Sequence, residues 1–247
     1  PLDPDPLSRS DWTLSAGFQY QGVSIRDANG RLSPRDSLGN LLGVTPNGQD
    51  ILAMLQFGAV YDKRDDALQP TSGSVLRLGM DQTLPIGAGQ IVFNRLRASY
   101  SYFIPVDWIN LTNDPNAPQA LAFNIQGGTV FGTLPPYEAF SLGGANSVRG
   151  FGEGDVGAGR SYLQATAEYR FPVLAFITGA LFLDYATDLG SGSDVPGNPA
   201  GIRNKPGSGF GYGFGVRVRS PLGPIRVDFG FSDRGENRIH LGIGERF

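Results

Sequence analysis

The side chains of this 247-residue sequence that could carry out chemistry are few and scattered. There is no cysteine, which excludes disulfides, thiolate metal sites and cysteine nucleophiles. His240 is the single histidine, which leaves little room for histidine-based metal binding or acid–base catalysis. No nucleophile lies next to a plausible base and a third orienting group in the sequence. No two carboxylates have a spacing that indicates a pair for acid–base catalysis. We therefore predict a protein that is not an enzyme and that has no metal site and no cofactor.

Two loop segments match ligand-binding patterns superficially. Residues 152–157 fit G-x-G-x-x-G, but a dinucleotide site requires the N-terminus of a helix after the glycines, and no helical period follows here. Residues 188–198 are rich in Asp and Gly and could surround a cation, yet they lack a closing Glu at EF-hand spacing. An ordinary loop is the favoured interpretation of both segments.

Composition narrows the class of protein. Charged residues are 17% of the chain, below the average of about 25% for soluble domains, and glycine contributes 36 residues. The net charge of −3 argues weakly against nucleic acid as a partner. No apolar run approaches 18 residues, which excludes a transmembrane helix. Eighteen of the 20 basic residues are arginine, which suits buried ion pairs, although a GC-rich genome would explain this bias equally well.

The elements that must position these residues are strands, because apolar and polar residues alternate with period two along most of the chain. The alternation is clear over residues 162–171, 209–219 and 225–231, and it predicts about ten strands of about ten residues each. Tilted membrane-spanning strands need about 9–11 residues, whereas soluble strands usually have five or six. The polar face carries Gly, Arg, Gln, Ser and Asp, as expected of a barrel lumen. We predict an all-β, transmembrane antiparallel β-barrel, with a soluble sandwich as the alternative.

The connections between strands support a barrel. Outer-membrane barrels have short turns at one end and longer loops at the other. Long connections are expected at 26–49, 132–159 and 188–206, short ones at 172–174 and 220–223, and tight hairpins at 85–89 and 232–236. Because those two hairpins fall on the long-loop side, the alternation is imperfect. Residues 1–11 are predicted to be a linker or boundary segment, and residues 12–247 the barrel.

Several polar-face positions are predicted to line the lumen. They are Arg77, Arg95, Arg97, Arg217, Arg219, Arg226 and Asp228. An arginine-rich lumen would favour anions. A passive, anion-favouring outer-membrane pore is therefore one candidate function. An enzyme that uses the barrel as a scaffold is a weaker one, because no catalytic constellation is visible.

The segment 137–171 resembles a known family. A glycine-rich loop bears Val148, Arg149, Gly150 and Phe151 at its middle and leads into a strand that contains Ala167-Glu168. Phe182-Leu-Asp184, a glycine-alternating strand ending in Gly215-Val-Arg217, the turn 220–224 and a C-terminal aromatic residue follow. Together they resemble the bacterial surface-antigen family of Bam-type assembly proteins, two-partner-secretion transporters, and Toc-type and Sam-type channels. The resemblance covers roughly residues 50–247 and is greatest to cyanobacterial and plastid-envelope members.

The resemblance implies a structural role for the loop. In this family the loop folds back into the lumen, and its arginine pairs with acidic side chains on the inner wall. Here that implies contacts from Arg149 to Glu168 and Asp184, and the alternation independently assigns both carboxylates to the polar face. The family barrel has sixteen strands, and the ten predicted here would be its C-terminal portion. About six strands and the POTRA repeats would then be missing, unless another chain supplies strands or the ten close alone.

The resemblance also implies a function and a location. We expect outer-membrane protein assembly or insertion, or polypeptide translocation, with the 148–151 motif gating the lumen. The expected partners are the lipid bilayer, substrate polypeptides, POTRA repeats and further barrel strands. The expected location is the outer membrane of a Gram-negative, cyanobacterial-type bacterium or a plastid outer envelope. Alternation places Ile239, Leu241, Ile243 and Phe247 on one face of the last strand, with Glu245 out of phase near the rim. The resemblance assigns the four apolar residues to a targeting signal and a seam strand. Whether barrels are assembled or a dedicated substrate is exported is left open.

Overall fold

A computed structural model of the chain describes residues 11–27, 29–86, 91–112, 114, 117–174, 176–220 and 223–247. Ten of its twelve strands form one antiparallel sheet in which each strand pairs with its neighbours in the order β1-β2-β3-β4-β5-β8-β9-β10-β11-β12. The strands are β1 (Trp12–Ser24), β2 (Gln49–Asp62), β3 (Gly73–Leu84), β4 (Phe93–Pro105), β5 (Ala120–Gly132), β6 (Phe140–Leu142), β7 (Gly157–Gly159), β8 (Ser161–Leu174), β9 (Ile177–Thr187), β10 (Ser208–Val218), β11 (Ile225–Ser232) and β12 (Asn237–Ile243). The all-β prediction with ten wall strands is confirmed.

The two faces of the sheet differ as the alternation predicts. On β10, Phe210 and Phe214 are 38% and 52% exposed on the outer face, whereas Gly211, Gly215 and Arg217, in the opposite phase, are buried on the inner face. An apolar outer face with a polar inner face is typical of a barrel wall in lipid. None of the helices among the described residues is long and apolar enough to cross a membrane.

The connections between the strands lie at the two ends of the sheet. Long connections of residues 25–48, 133–160 and 188–207 lie at one end, which we call the long-loop rim. The connection of two residues between β8 and β9 and the connection of six residues between β10 and β11 belong to the other end, the short-turn rim. The β4–β5 connection, residues 106–119, is an exception, because it is long but lies at the short-turn rim. The predicted hairpin at 85–89 falls partly outside the described residues, as do the first ten residues of the predicted linker.

The sheet has two edges. β1 and β12 stand at the ends of the strand order, and within the described residues no ladder joins them. A strand edge facing lipid would leave unpaired N–H and C=O groups in a medium that cannot hydrogen-bond them. Among the described residues, both edges of this ten-stranded wall are therefore open.

An apolar core lies on the inner side, at the level of the long loops. Leu52 and Met54 of β2 are buried there against Phe93, Leu134 and Val195. The alternation assigns Leu52 and Met54 to the polar face. They are apolar because the loops close over this end of the lumen, so the wall is packed against protein rather than against water.

The end of the chain corrects one prediction. Ile239, Leu241 and Ile243 are 66–72% exposed on the outer face of β12, but Phe247 is 8% exposed. Phe247 packs inside the wall, with its ring centroid 6.3 Å from that of Phe103. The expectation that Phe247 shares a face with the three aliphatic residues is wrong. β12 ends at Ile243, and Gly244 follows with φ +84°, which breaks the period-two phase.

Glu245 was expected near the rim, and that expectation is also wrong. Its side chain is 12% exposed inside the wall, with Oε2 2.9 Å from Nη2 of Arg170. Burial raises the pKa of the Glu245 carboxyl, and the neighbouring Arg170 offsets only part of that effect. The last three residues of the chain therefore point into the lumen.

Candidate functional site

The β5–β8 connection folds back along the inner face of the wall. β6 and β7 pair within it, with Leu142 opposite Gly157. Val148, Phe151 and Val156 are at most 2% exposed, and they pack with Leu142 against Ala186 of β9. Apolar burial thus places the 148–151 motif in the lumen, where the resemblance puts it.

Arg149 lies at the centre of the site and is 0% exposed. Its Nε donates to Oδ2 of Asp184 at 2.8 Å and its Nη2 donates to Oδ1 of the same carboxylate at 3.1 Å. Nη1 donates to Oε2 of Glu168 at 2.9 Å and to Oδ2 of Asp228 at 3.3 Å. We call these four residues the Arg149 cluster. It joins one loop residue to β8, β9 and β11 through charge-assisted bonds, which are stronger than neutral ones.

The surroundings of the Arg149 guanidinium favour its charged form. Its Cζ lies 3.4 Å from the centroid of the Phe182 ring, a cation–π contact. Burial alone would lower the pKa of Arg149, but the carboxylates of Asp184 and Glu168 outweigh burial and raise the pKa above its ordinary value. The loop is therefore held by a permanent positive charge.

Further arginines complete the charge balance around the Arg149 cluster. Arg217 contacts both Glu168 and Asp228, and Nε of Arg170 donates to Glu168 at 2.9 Å. Nη1 of Arg246 donates to Oδ1 of Asp184 at 2.7 Å, and its Nη2 contacts the carbonyl of Ser147. The inward tail of the chain thus binds both the loop and its principal acceptor.

The wall strands approach the loop closely because they present glycines to it. A Cβ placed on Gly211 of β10 would lie 2.0 Å from the carbonyl oxygen of Arg149. A Cβ on Gly230 of β11 would lie 2.5 Å from the backbone nitrogen of Gly150. Distances below 3 Å do not occur for real Cβ atoms, so a side chain at either position would displace the loop. The loop accounts for glycine at Gly211 of β10, whereas a Cβ on Gly213 would instead meet the carbonyl oxygen of Phe229 on β11.

His240 makes a further contact with the loop. Its Nε2 accepts a hydrogen bond from the backbone N–H of Gly150 at 3.0 Å. His240 is buried on the inner face of β12, the edge strand. The edge strand and the lumen loop are therefore connected directly.

The other predicted lining residues lie in separate places. Arg95 pairs with Glu138 at the start of the loop, and Arg97 pairs with Asp81 at 2.8 Å. Arg77 lines an inner cavity of about 420 Å³. Arg226 is 5% exposed and approaches Asn146 of the loop at 3.5 Å. The prediction that Arg219 lines the lumen is wrong. Arg219 lies beyond the end of β10, is exposed, and donates to Gln69 at the short-turn rim.

Sequence reasoning missed several members of the site. It assigned Asp228 to the lumen but not to Arg149, and it gave Phe182, His240 and Arg246 no contact with the loop. For Phe182 and His240, the available signal was alternation, because both occupy the inward phase of their strands. Alternation gives the face of a residue but not its height along the barrel, so it could not bring these side chains together.

Replacing His240 with alanine is expected to lower the free energy of unfolding by about 1–3 kcal/mol, because the buried N–H of Gly150 loses its acceptor. Urea titration of the reconstituted barrel would measure the change. His240→Gln, whose amide oxygen can accept a hydrogen bond, is the matched control and should retain part of the lost stability. Equal stability of the alanine variant and the parent protein would show that this bond contributes nothing.

The fold and the site define a membrane-spanning β-barrel wall with a loop bound inside its lumen by buried ion pairs. The family model that matches residues 5–247 is the Omp85 superfamily domain. The chain is 39% identical over 238 residues to outer envelope protein 80 of Arabidopsis thaliana chloroplasts and 33% identical over 201 residues to chloroplast TOC75 of Pisum sativum. The chain belongs to the Omp85 superfamily. The predicted family is confirmed, and so is the outer-membrane location.

The coverage of these relatives is partial. The alignments span 96% and 81% of this chain but 31% and 24% of the two relatives. Outer envelope protein 39 of Arabidopsis thaliana is 32% identical, over 98% of this chain and 63% of that protein. The crystal structure of BamA from Haemophilus ducreyi lacking POTRA domains 1–3 matches 94% of this chain and 49% of that chain, with a TM-score of 0.62 and 16% identity. That likeness shows a shared barrel fold.

Proposed function

We propose that the chain forms part of an outer-membrane barrel that inserts or translocates polypeptides, with the 148–151 loop as the gate of its lumen. The observation that carries the proposal is the Arg149 cluster. The loop is bound to three wall strands through ionic side-chain contacts, without joining the main sheet. Such contacts can separate and re-form without unpairing the wall, as a gate requires.

Membership of the Omp85 superfamily supports this role, since its members insert or translocate proteins at outer membranes. The role requires no covalent chemistry. POTRA repeats and the strands that pair with the two open edges are the partners we expect in the whole protein.

The edge strand β12 supports an opening between strands. It pairs with β11 over seven positions, whereas β9 and β10 pair over eleven, so a shorter ladder attaches the edge strand to the wall. Gly242 also removes a side chain that would otherwise contribute to pairing. A substrate strand could pair with this edge by β-augmentation.

Photo-crosslinking would test the proposal. The reactive group is placed at Ile239 or Leu241 of β12, and at Leu183 of β9 as the control. All three side chains are exposed on the outer face, but β9 is paired on both sides. We expect a nascent barrel polypeptide to be captured from β12 and not from β9. Absence of capture from β12, or equal capture from both strands, would contradict the proposal.

A passive pore is the second candidate, and one observation favours it. Within the part of the chain that the structure describes, Arg77 makes no ion pair while it faces the inner cavity, so its charge is available to passing anions. Steady anion conductance without polypeptide capture in the same barrel would favour the pore over the proposed translocation role.

A further inference from the structure

The β4–β5 connection lies outside the barrel wall, although it joins two wall strands at the short-turn rim. We call residues 106–112 the rim segment. The ring centroid of Trp108 lies 5.1 Å from that of Tyr169, and the N–H of Ile109 donates to the Tyr169 hydroxyl at 2.9 Å. Tyr169 belongs to the outward phase of β8 and stacks on Phe171, yet it is only 8% exposed. The rim segment therefore covers the lipid side of the wall at the level where β8 ends.

Several polar groups of the rim segment have hydrogen-bond partners within the protein. The N–H groups of Trp108 and Ile109 both donate to Oε1 of Gln119 at 3.0 Å. Nε2 of Gln119 donates to Asp107 at 3.0 Å, and the Tyr169 hydroxyl donates to Oε1 of Gln119 at 2.7 Å. Gln119 itself is 4% exposed. A segment that supplies its own hydrogen-bond partners can lie where water is scarce at little cost.

The side chains that the rim segment exposes are large and apolar. Trp108 and Leu111 are each 62% exposed and Ile109 is 40% exposed. Leu174 and Phe176 beside the β8–β9 turn add two more exposed apolar side chains at the same rim, at 53% and 57%. These five side chains continue the apolar outer face of the strands up to the rim, where tryptophan is favoured at the membrane–water boundary.

A groove of about 580 Å³ lies between the rim segment and the β8–β9 turn. Leu111, Pro172 and Leu174 belong to its apolar lining, and Thr112, Asp114 and Arg219 supply polar and charged groups. A lipid at the boundary presents the same two chemistries, an acyl chain next to a polar headgroup. The groove therefore presents both kinds of surface that such a lipid contacts.

We propose that the rim segment is embedded in the interfacial layer of the bilayer at the short-turn rim, with Trp108, Ile109 and Leu111 in contact with lipid. The partner is the bilayer surface at the boundary between headgroups and acyl chains. The contact is chiefly apolar, because Trp108, Ile109 and Leu111 carry no charge. The exposed carboxylate of Asp107, which accepts from Gln119, is the single charged group of the segment, and it is negative. The contact therefore fixes the position of this end of the barrel relative to the bilayer surface, and it does not depend on anionic lipids.

The chain has two tryptophans, Trp12 and Trp108, so one conservative change isolates the reporter. Trp12→Phe leaves Trp108 as the single tryptophan of the chain, which is reconstituted in phosphatidylcholine vesicles and excited selectively at the tryptophan absorption edge. We expect lipids brominated high on the acyl chain to quench Trp108 more strongly than lipids brominated near the bilayer centre. Aqueous iodide should quench it weakly, and added anionic lipid should change nothing.

A second variant, Leu111→Asp, places a charge among the apolar side chains and is expected to cause loss of the bromolipid quenching. Leu38→Asp is the matched control, because Leu38 is 81% exposed in the β1–β2 connection at the opposite rim, and it should leave the quenching unchanged. Strong iodide quenching of Trp108 without bromolipid quenching would show that the rim segment lies in water. Protection from both quenchers would show that protein covers it. Either result would overturn the proposal.

Discussion

Arg149→Gln is expected to lower the free energy of unfolding by about 3–5 kcal/mol and to release the lumen loop, because it removes one partner from a buried ionic cluster. The carboxylates of Glu168, Asp184 and Asp228 converge on this one guanidinium, with contacts of 2.8–3.3 Å. Without it, three negative charges remain close together and buried, with only the flanking arginines to balance them. Urea unfolding of the reconstituted barrel, followed by tryptophan fluorescence, would measure the loss.

Arg97→Gln is the matched control for Arg149→Gln. Arg97 also pairs with a lumen-facing carboxylate, Asp81, but its side chain is 45% exposed and Arg95 lies near the same carboxylate. Its loss is expected to cost at most about 1 kcal/mol, since exposed ion pairs contribute little. A cost for Arg149→Gln no larger than the cost of this control would contradict the assigned role of Arg149.

A double variant separates charge from packing. Arg149→Gln combined with Asp184→Asn removes one buried negative charge along with the positive one. We expect this double variant to be more stable than the sum of the two single changes predicts, because neighbouring partners in one ionic network are not additive. Additive losses would mean that Arg149 and Asp184 contribute independently.

The alternation of apolar and polar residues determines how much of this site can be predicted from the sequence. Period two assigns a face to each residue of a strand, so the sequence alone is enough to assign Glu168 and Asp184 to the inner wall. The height at which their side chains meet depends on the register between strands. In this wall, Thr166 stands opposite Asp184 across β8 and β9, whereas Glu168 stands opposite Phe182. The convergence of these side chains on one arginine is a property of that register and of the course of the loop.

The C-terminal residues show where a prediction from alternation fails. Period two predicts a face only while the backbone remains extended. Gly244 takes a positive φ, so Glu245, Arg246 and Phe247 depart from the phase of β12 and enter the lumen. The rim segment is similar, because irregular backbone fixed by a glutamine side chain carries no periodic signal. Strands and faces were therefore predictable from alternation, whereas contacts made by irregular segments were not. The contacts of Arg149 with Glu168 and Asp184 were expected from the family resemblance alone.

Gly211→Val is expected to displace the lumen loop while the wall itself stays paired. The new Cβ would lie 2.0 Å from the carbonyl oxygen of Arg149 and 3.0 Å from Cγ1 of Val148. β10 is fixed by pairing with β9 and β11 on its two sides, so the wall cannot retreat and the loop must move. The loop then loses the contacts of the Arg149 cluster, and the expected cost approaches the cost of Arg149→Gln, about 3–5 kcal/mol.

Limited trypsin digestion would measure the displacement, because the bond after Arg149 is buried in the parent protein and becomes accessible only when the loop leaves the wall. Gly22→Val on β1 is the matched control, since a Cβ there meets nothing within 4 Å, and it should leave the bond protected. If Gly211→Val left the bond equally protected, the close packing of loop and wall would be contradicted. Adding Arg149→Gln to Gly211→Val should cost little more in stability, because a loop that has already left the wall has no buried ion pairs to lose.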